Sequence, residues 1–143
     1  MIGRLYEFAD VLRHHGRKRH LTPDLALGRC GEDIAHRYLQ RIGIIIVARN
    51  YRMASGGGEL DLIGWENGTL VFVEVKSRQS DHYGSPERAI GREKEAHLFR
   101  TAREYARHAE VPWENVRFDV VSIVFNTPPL VTHYRDVFGP SAA

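Results

Sequence analysis

From Leu27 to Ile42 the apolar positions are Leu27, Cys30, Ile34, Ala35, Tyr38, Leu39 and Ile42. That spacing is helical, and Gly43 supplies a stop. At about 100° per residue, Glu32 falls on the border of the apolar arc, beside Leu39. So amphipathic a helix packs on something, with Glu32 at the seam and Cys30 on the core side. The period then changes. "IIIVARNYR" (44–52) is β-branched and predicts a strand, and "MASGGG" (53–58) a flexible turn. Two strands follow around Asn67-Gly68, then the loop "SRQSDHYG". "SPE" (85–87) offers an N-cap, a proline for the first helical position and an early acid. A helix is predicted from there to about Ala109, disturbed at Gly91, with Ile90, His97, Leu98, Ala102 and Tyr105 in its apolar arc. "VRFDVVSIVF" (116–125) is a further strand and "VTHYRDV" a short last one. The order αβββαβ, with one more β at the end, predicts an α/β fold with a mixed central sheet flanked by helices.

The hairpin "LDLIGWENGTLVFVEVK" is the informative segment. Asn-Gly tolerates the positive φ that a type I′ turn needs at both central residues. A two-residue loop pairs Glu66 with Thr69, and then Trp65 with Leu70, Ile63 with Phe72, Asp61 with Glu74 and Glu59 with Lys76. One face then carries Leu60, Leu62, Val71, Val73 and Val75. The other carries Trp65, Leu70, Ile63 and Phe72 near the turn, and Asp61, Glu74, Glu59 and Lys76 away from it. With both faces covered, the charges continue a core-facing stripe. Two carboxylates directly opposite repel, the more so near a core. A hard divalent cation between them removes the conflict, and Lys76 points to the same place. The alternative is that the acids flare into solvent beside Lys76 and Arg78.

Composition narrows the picture. The chain has 143 residues, enough for one domain with a real core. Hydrophobic residues are 43% and charged residues 27%, and no apolar run approaches the ~20 residues of a membrane span. The single cysteine forms no disulfide within the chain, which suggests a reducing cytoplasm. Net charge is only +2, but "RHHGRKRH" (13–20) concentrates positive charge in an extension over residues 1–22 that precedes a single domain, 23–143. Such a run is either a nucleic-acid-contacting arm or a solvated end. No zinc spacing, P-loop or nucleophile elbow is present.

Asp61, twelve residues, then Glu74-Val75-Lys76 resembles the PD-(D/E)xK nuclease motif. "GRCGEDIAHRYL", "RNYR", "GELDLIG", "VFVEVKSR" and "RFDVV" together resemble the YraN-like family of bacterial proteins, related to Holliday-junction resolvases and restriction endonucleases. Leu60 stands where the motif has its nominal proline. The resemblance implies a metal-binding aspartate at Asp61, a second acid at Glu74, the motif lysine at Lys76 and a first-helix acid at Glu32. It implies Mg²⁺ or Mn²⁺, held by Asp61, Glu74 and the carbonyl of Val75, and phosphodiester hydrolysis in nucleic acid, DNA above RNA and branched DNA among the options.

Arg49, Arg52 and Arg78 are candidate phosphate contacts. Lys94, inside the apolar arc of its helix, either snorkels or reaches a phosphate. Asp119 in "RFDVV" is read as structural, paired with Arg117 or a neighbouring arginine. The rival to a nuclease is a nucleic-acid-binding or scaffold module that keeps the fold without turnover. A homodimer is left open, since resolvases act in pairs.

Overall fold

The computed structural model describes residues 23–54, 56, 58–79 and 92–137. The basic run, the extension before residue 23, the "SPE" cap and Gly91 lie outside them. Helix α1 spans Pro23–Arg41. It begins earlier than the apolar spacing predicts, because Pro23 fits a first helical turn where no N–H partner is needed. The junction "LTPDLALG" is therefore largely helical. Gly43, at φ 97°, ends it, and Ile44 N–H returns to Leu39 O at 2.9 Å. The strands are β1 (Ile45–Arg52), β2 (Glu59–Glu66), β3 (Thr69–Arg78), β4 (Val116–Val124) and β5 (Leu130–Tyr134). Helix α2 (Arg92–His108) links β3 to β4.

The strands form one sheet in the order β1-β2-β3-β4-β5. Only β3 and β4 run parallel, as the intervening helix requires. The mixed α/β sheet is the one expected, and its fifth strand is real. Asn67 and Gly68 have φ 48° and 83°, and the ladder runs from Glu66↔Thr69 through Trp65↔Leu70 and Ile63↔Phe72 to Leu62↔Val73.

Each face of the sheet carries a helix. Leu98, Ala102 and Ala106 of α2 pack on Leu60, Ile63, Leu70, Phe72, Phe118 and Val120. Ala35 and Leu39 of α1 pack on Leu62, Val71, Val73, Val121 and Ile123. Cys30 belongs to neither cluster and is half-buried, so the core place expected for it is corrected. Where α1 crosses β3 the approach is very close: a Cβ on Gly31 would stand 1.7 Å from Ser77 Oγ.

One expectation fails in an informative way. Strict alternation puts Leu60 beside Leu62, but the two lie in opposite clusters, Leu60 under α2 and Leu62 under α1. The alternation of β2 breaks at the residue between them, Asp61. A break in period marks a site where the backbone serves something other than a regular ladder.

Candidate active site

The break in β2 has a counterpart in β1. Arg49 pairs with Leu62 and Tyr51 with Leu60, which sets Asn50 opposite Asp61. Asn50 has φ 51°, a left-handed conformation uncommon within a strand. Arg49 and Asn50 consequently both reach towards α1: Arg49 Nη2 lies 2.8 Å from Asp33 Oδ1, and the Asn50 amide meets Glu32. Tyr51 turns the other way, donating to Glu104 of α2 at 3.2 Å.

Asp61 uses the gap this creates. The ladder between β2 and β3 stops at Leu62↔Val73, and Asp61 Oδ2 accepts the Val75 N–H at 2.8 Å. The aspartate side chain does what the next backbone carbonyl would have done. Asp61 and Glu74 are neighbours, close enough for the Glu74 charge to weigh on Asp61, and two such carboxylates repel.

Around this pair lies an open cleft of about 460 Å³, lined by Leu27, Gly28 and Glu32 of α1, by Asp61, and by Glu74, Val75, Lys76 and Ser77 of β3. Glu74 is 8% exposed, and Lys76 Nζ lies 3.5 Å from its Oε1. Burial pushes the Asp61 carboxyl well above the usual aspartate range; the charges of Glu74 and Glu32 add to this, and the Val75 N–H opposes it. Burial also raises Glu32, against the pull of Arg29, Arg49 and Asn50. Arg29 and Arg49 each stand 3.5 Å from Glu32 Oε2.

The five residues Glu32, Asp61, Glu74, Val75 and Lys76 thus line one cleft. The arginines separate. Arg49 is 4% exposed and bound to Asp33. The phosphate contact expected of it is corrected: Arg49 ties β1 to α1, because its guanidinium is shielded there by acids. Arg52 is 74% exposed and paired with Glu59 at 2.7 Å, so Glu59 meets Arg52 rather than the expected Lys76. Arg78 closes β3, partly buried and outside the cleft lining, its carbonyl accepting Phe125 N–H at 2.9 Å. Lys94 lies on α2, with its side chain outside the described residues.

The donors fit a hard cation such as Mg²⁺ or Mn²⁺ in kind: carboxylate oxygens of Asp61 and Glu74, and the carbonyl of Val75. The buried carboxyl pair marks where positive charge is wanted. Among the described residues, however, no three His, Cys, Asp or Glu side chains are gathered into a ready cation cage. Ligation would draw on Val75 and on water, with Glu32 on the same cleft wall reaching the cation directly or through water.

Asp119 is structural, as expected, but with more partners than Arg117. It lies on β4, fully buried, and takes two bonds from Arg117 at 2.8 and 2.9 Å and one from Asp136 N–H at 2.9 Å. His133 Nε2 stands 2.7 Å from Oδ2. Arg117 also holds Glu66 at 2.9 Å, which Arg135 reaches at 2.6 Å. Burial raises the Asp119 carboxyl, but His133, Arg117 and Asp136 outweigh it and leave it below its ordinary value.

Sequence reasoning missed Gly28, Arg29, Gly31, Asn50 and Ser77. The one available signal was Asn50, a residue tolerant of left-handed backbone set inside a segment that predicts a strand. The others gather only through the crossing of α1 over β3.

Fold and cleft together define an endonuclease-like α/β core with an acidic cleft where its central hairpin opens. The chain belongs to the family described as Uncharacterised protein family UPF0102, which it matches over residues 31–123, from the Gly31 crossing into β4. This is the YraN-like family that its motifs resemble. It is 49% identical to a UPF0102 protein of Solibacter usitatus over 138 residues, covering 96% of this chain and all of that one. It is 46% identical to one of Rhodococcus jostii, covering 82% of this chain and all of the relative. A relative in Persephonella marina is 40% identical, over 78% of this chain and 91% of its own. No helix among the described residues is long and apolar enough to cross a membrane.

Proposed function

We propose that this protein is a divalent-cation-dependent nuclease that hydrolyses phosphodiester bonds, with DNA as its preferred substrate. The observation that carries this reading is Asp61. It is a desolvated carboxyl pressed against Glu74 where a strand ladder has been interrupted to admit it. A purely structural sheet gains nothing from that arrangement, which repels when ionised. A hydrolase that needs positive charge at one point gains a place to hold it.

In this reading Asp61, Glu74 and the Val75 carbonyl hold Mg²⁺ or Mn²⁺, with Glu32 completing the set directly or through water. When bound, the cation would acidify a ligated water and neutralise charge on the phosphate. Lys76, next to Glu74, orients the attacking water or meets the charge that grows on the phosphoryl oxygens. Water adds to phosphorus and the bridging oxygen departs with a proton. Arg52, exposed at the end of β1, supplies a phosphate contact that fixes position but not sequence.

A second reading has an observation of its own. Glu32 already has Arg29, Arg49 and Asn50 about it, as in a module that keeps the fold and binds nucleic acid without cutting. Cleavage assays on linear, single-stranded and four-way DNA with Mg²⁺ or Mn²⁺ decide between the two. The nuclease reading expects cutting by the wild type and none by Asp61→Asn or Lys76→Ala variants that stay folded. A wild type that cuts none of these and shows no calorimetric cation binding would sink it.

A further inference from the structure

A non-glycine residue with left-handed backbone in mid-strand is strained, and such strain persists only where its surroundings enforce it. Asn50 is such a residue, at φ 51°. It stands opposite the aspartate at which β2 loses its alternation. Its side chain is fully employed. With the amide nitrogen turned towards the acids, it donates to Glu32 Oε1 and Oε2, each at 3.3 Å, and to Glu59 Oε1 at 2.8 Å. Its oxygen accepts from Arg29 Nη1 at 2.8 Å. One amide thus joins β1, β2 and α1 at the rim of the cleft.

The consequence concerns Glu32. A carboxylate on a helix has several rotamers, and losing that freedom has an entropic cost. Here a neutral donor spans both of its oxygens, while Arg29 anchors the other end of the amide. Arg29 and Arg49 each stand 3.5 Å from Oε2 and lend it positive charge, while the amide adds direction by reaching both oxygens. Asparagine suits both demands, tolerating the left-handed backbone better than other side-chain-bearing residues and carrying a donor and an acceptor on one short arm.

We infer that Asn50 is a positioning residue that holds the Glu32 carboxylate towards the Asp61–Glu74 pair, so that Glu32 serves the cation site. This rests on the cation-dependent reading above. Partners of this kind, one step removed from a ligand, are worth about 10–100-fold in metal affinity.

The experiment is calorimetric titration of the full chain with Mn²⁺, alongside thermal melts, for the wild type and for Asn50→Gly, Asn50→Ala and Glu32→Gln. Asn50→Gly removes the amide but keeps the backbone at ease, while Asn50→Ala removes the amide and adds strain. Both should bind Mn²⁺ about 10–100-fold more weakly. Asn50→Ala should lose more melting temperature than Asn50→Gly, because both lose the amide and only alanine adds backbone strain. Adding Asn50→Gly to Glu32→Gln should weaken binding little further, because the amide acts through Glu32. The inference is overturned if Asn50→Gly binds as the wild type does, if affinity merely follows melting temperature, or if the double variant loses the full product of the two single effects. A wild type that binds no Mn²⁺ overturns instead the reading on which the inference rests, so the two failures are distinguishable.

Discussion

Two aspartates flank the central strand β3, Asp61 on β2 and Asp119 on β4, and they have opposite surroundings. Asp119 is ringed by Arg117, His133 and the Asp136 N–H. Asp61 has the Val75 N–H, and the charges that weigh on it are those of Glu74 and Glu32. Burial is common to both, and neighbours decide the outcome: the Asp119 carboxyl ends below its ordinary range and Asp61 well above it. A buried acid with its charge answered is finished structure. A buried acid set among other acids is a vacancy in the charge pattern, and that difference separates framework from candidate chemistry in one small sheet.

The contrast can be broken most forcefully at Asp119. Asp119→Asn should cost about 3–5 kcal/mol in urea unfolding, because it strands the buried partners of a satisfied charge. A cost under about 1 kcal/mol would mean that the cluster is not the framework described here.

Gly31→Ala comes next, at about 1–3 kcal/mol. Its new methyl would meet Ser77, so α1 must lift away from β3. That lift should move Glu32 from the cleft and weaken Mn²⁺ binding, while the contacts of Asp119 with Arg117 and Asp136 are spared. Unchanged stability and affinity would show that the close crossing is not needed.

The same change as at Asp119, made at Asp61, should have the opposite sign. Without divalent cation, Asp61→Asn removes a desolvated, repelled carboxylate and should raise the urea midpoint at neutral pH. It should also weaken Mn²⁺ binding by more than the ~10–100-fold typical of outer partners. A lowered midpoint would place Asp61 with Asp119 among the structural acids.

The pH dependence separates the pair without mutating either. Asp61 is raised, so its stabilising contribution is complete below the ordinary value of 3.8 and is lost as pH climbs through its folded value. Asp119 is lowered from the same 3.8, so its contribution is complete above that value and is lost as pH falls through its folded value. Cation-free stability should therefore decline on both sides. Asp61→Asn should flatten only the high-pH limb and Asp119→Asn only the acid limb. A high-pH limb unaltered in Asp61→Asn would refute the assignment.

The smallest effect belongs to the exposed pair Arg52–Glu59. Arg52→Ala should change stability by no more than about 0.5 kcal/mol. It should lower the salt dependence of DNA binding by about one counterion. An unchanged slope would remove Arg52 from the phosphate contacts.

The sequence disclosed the hairpin well, because Asn67-Gly68 admits essentially one register and that register brings Asp61 to Glu74. It disclosed Glu32 at a helix seam and the identity of the fifth strand. It could not disclose that Leu60 would leave the face of Leu62, since strict alternation is the default and a break depends on the neighbouring strand. Nor could it separate Arg49 from Arg52. Both look like surface arginines, and only the position of Asp33 on α1 decides that one is buried. His133 was lost for a similar reason: its aspartate lies on another strand, and no local spacing joins them.

The Asn67-Gly68 tip is exposed and far from the cleft, the kind of place where chains usually accept insertions. Here that tolerance should be withdrawn. The tip sets the phase of both strands, and a single extra residue would carry every later side chain to the wrong side. Asp61 would then face a different neighbour although nothing near it had changed. Length at this remote bend is thus under the same constraint as the identity of the acids, and a hairpin lengthened by one residue should fold poorly or fold with its cleft erased.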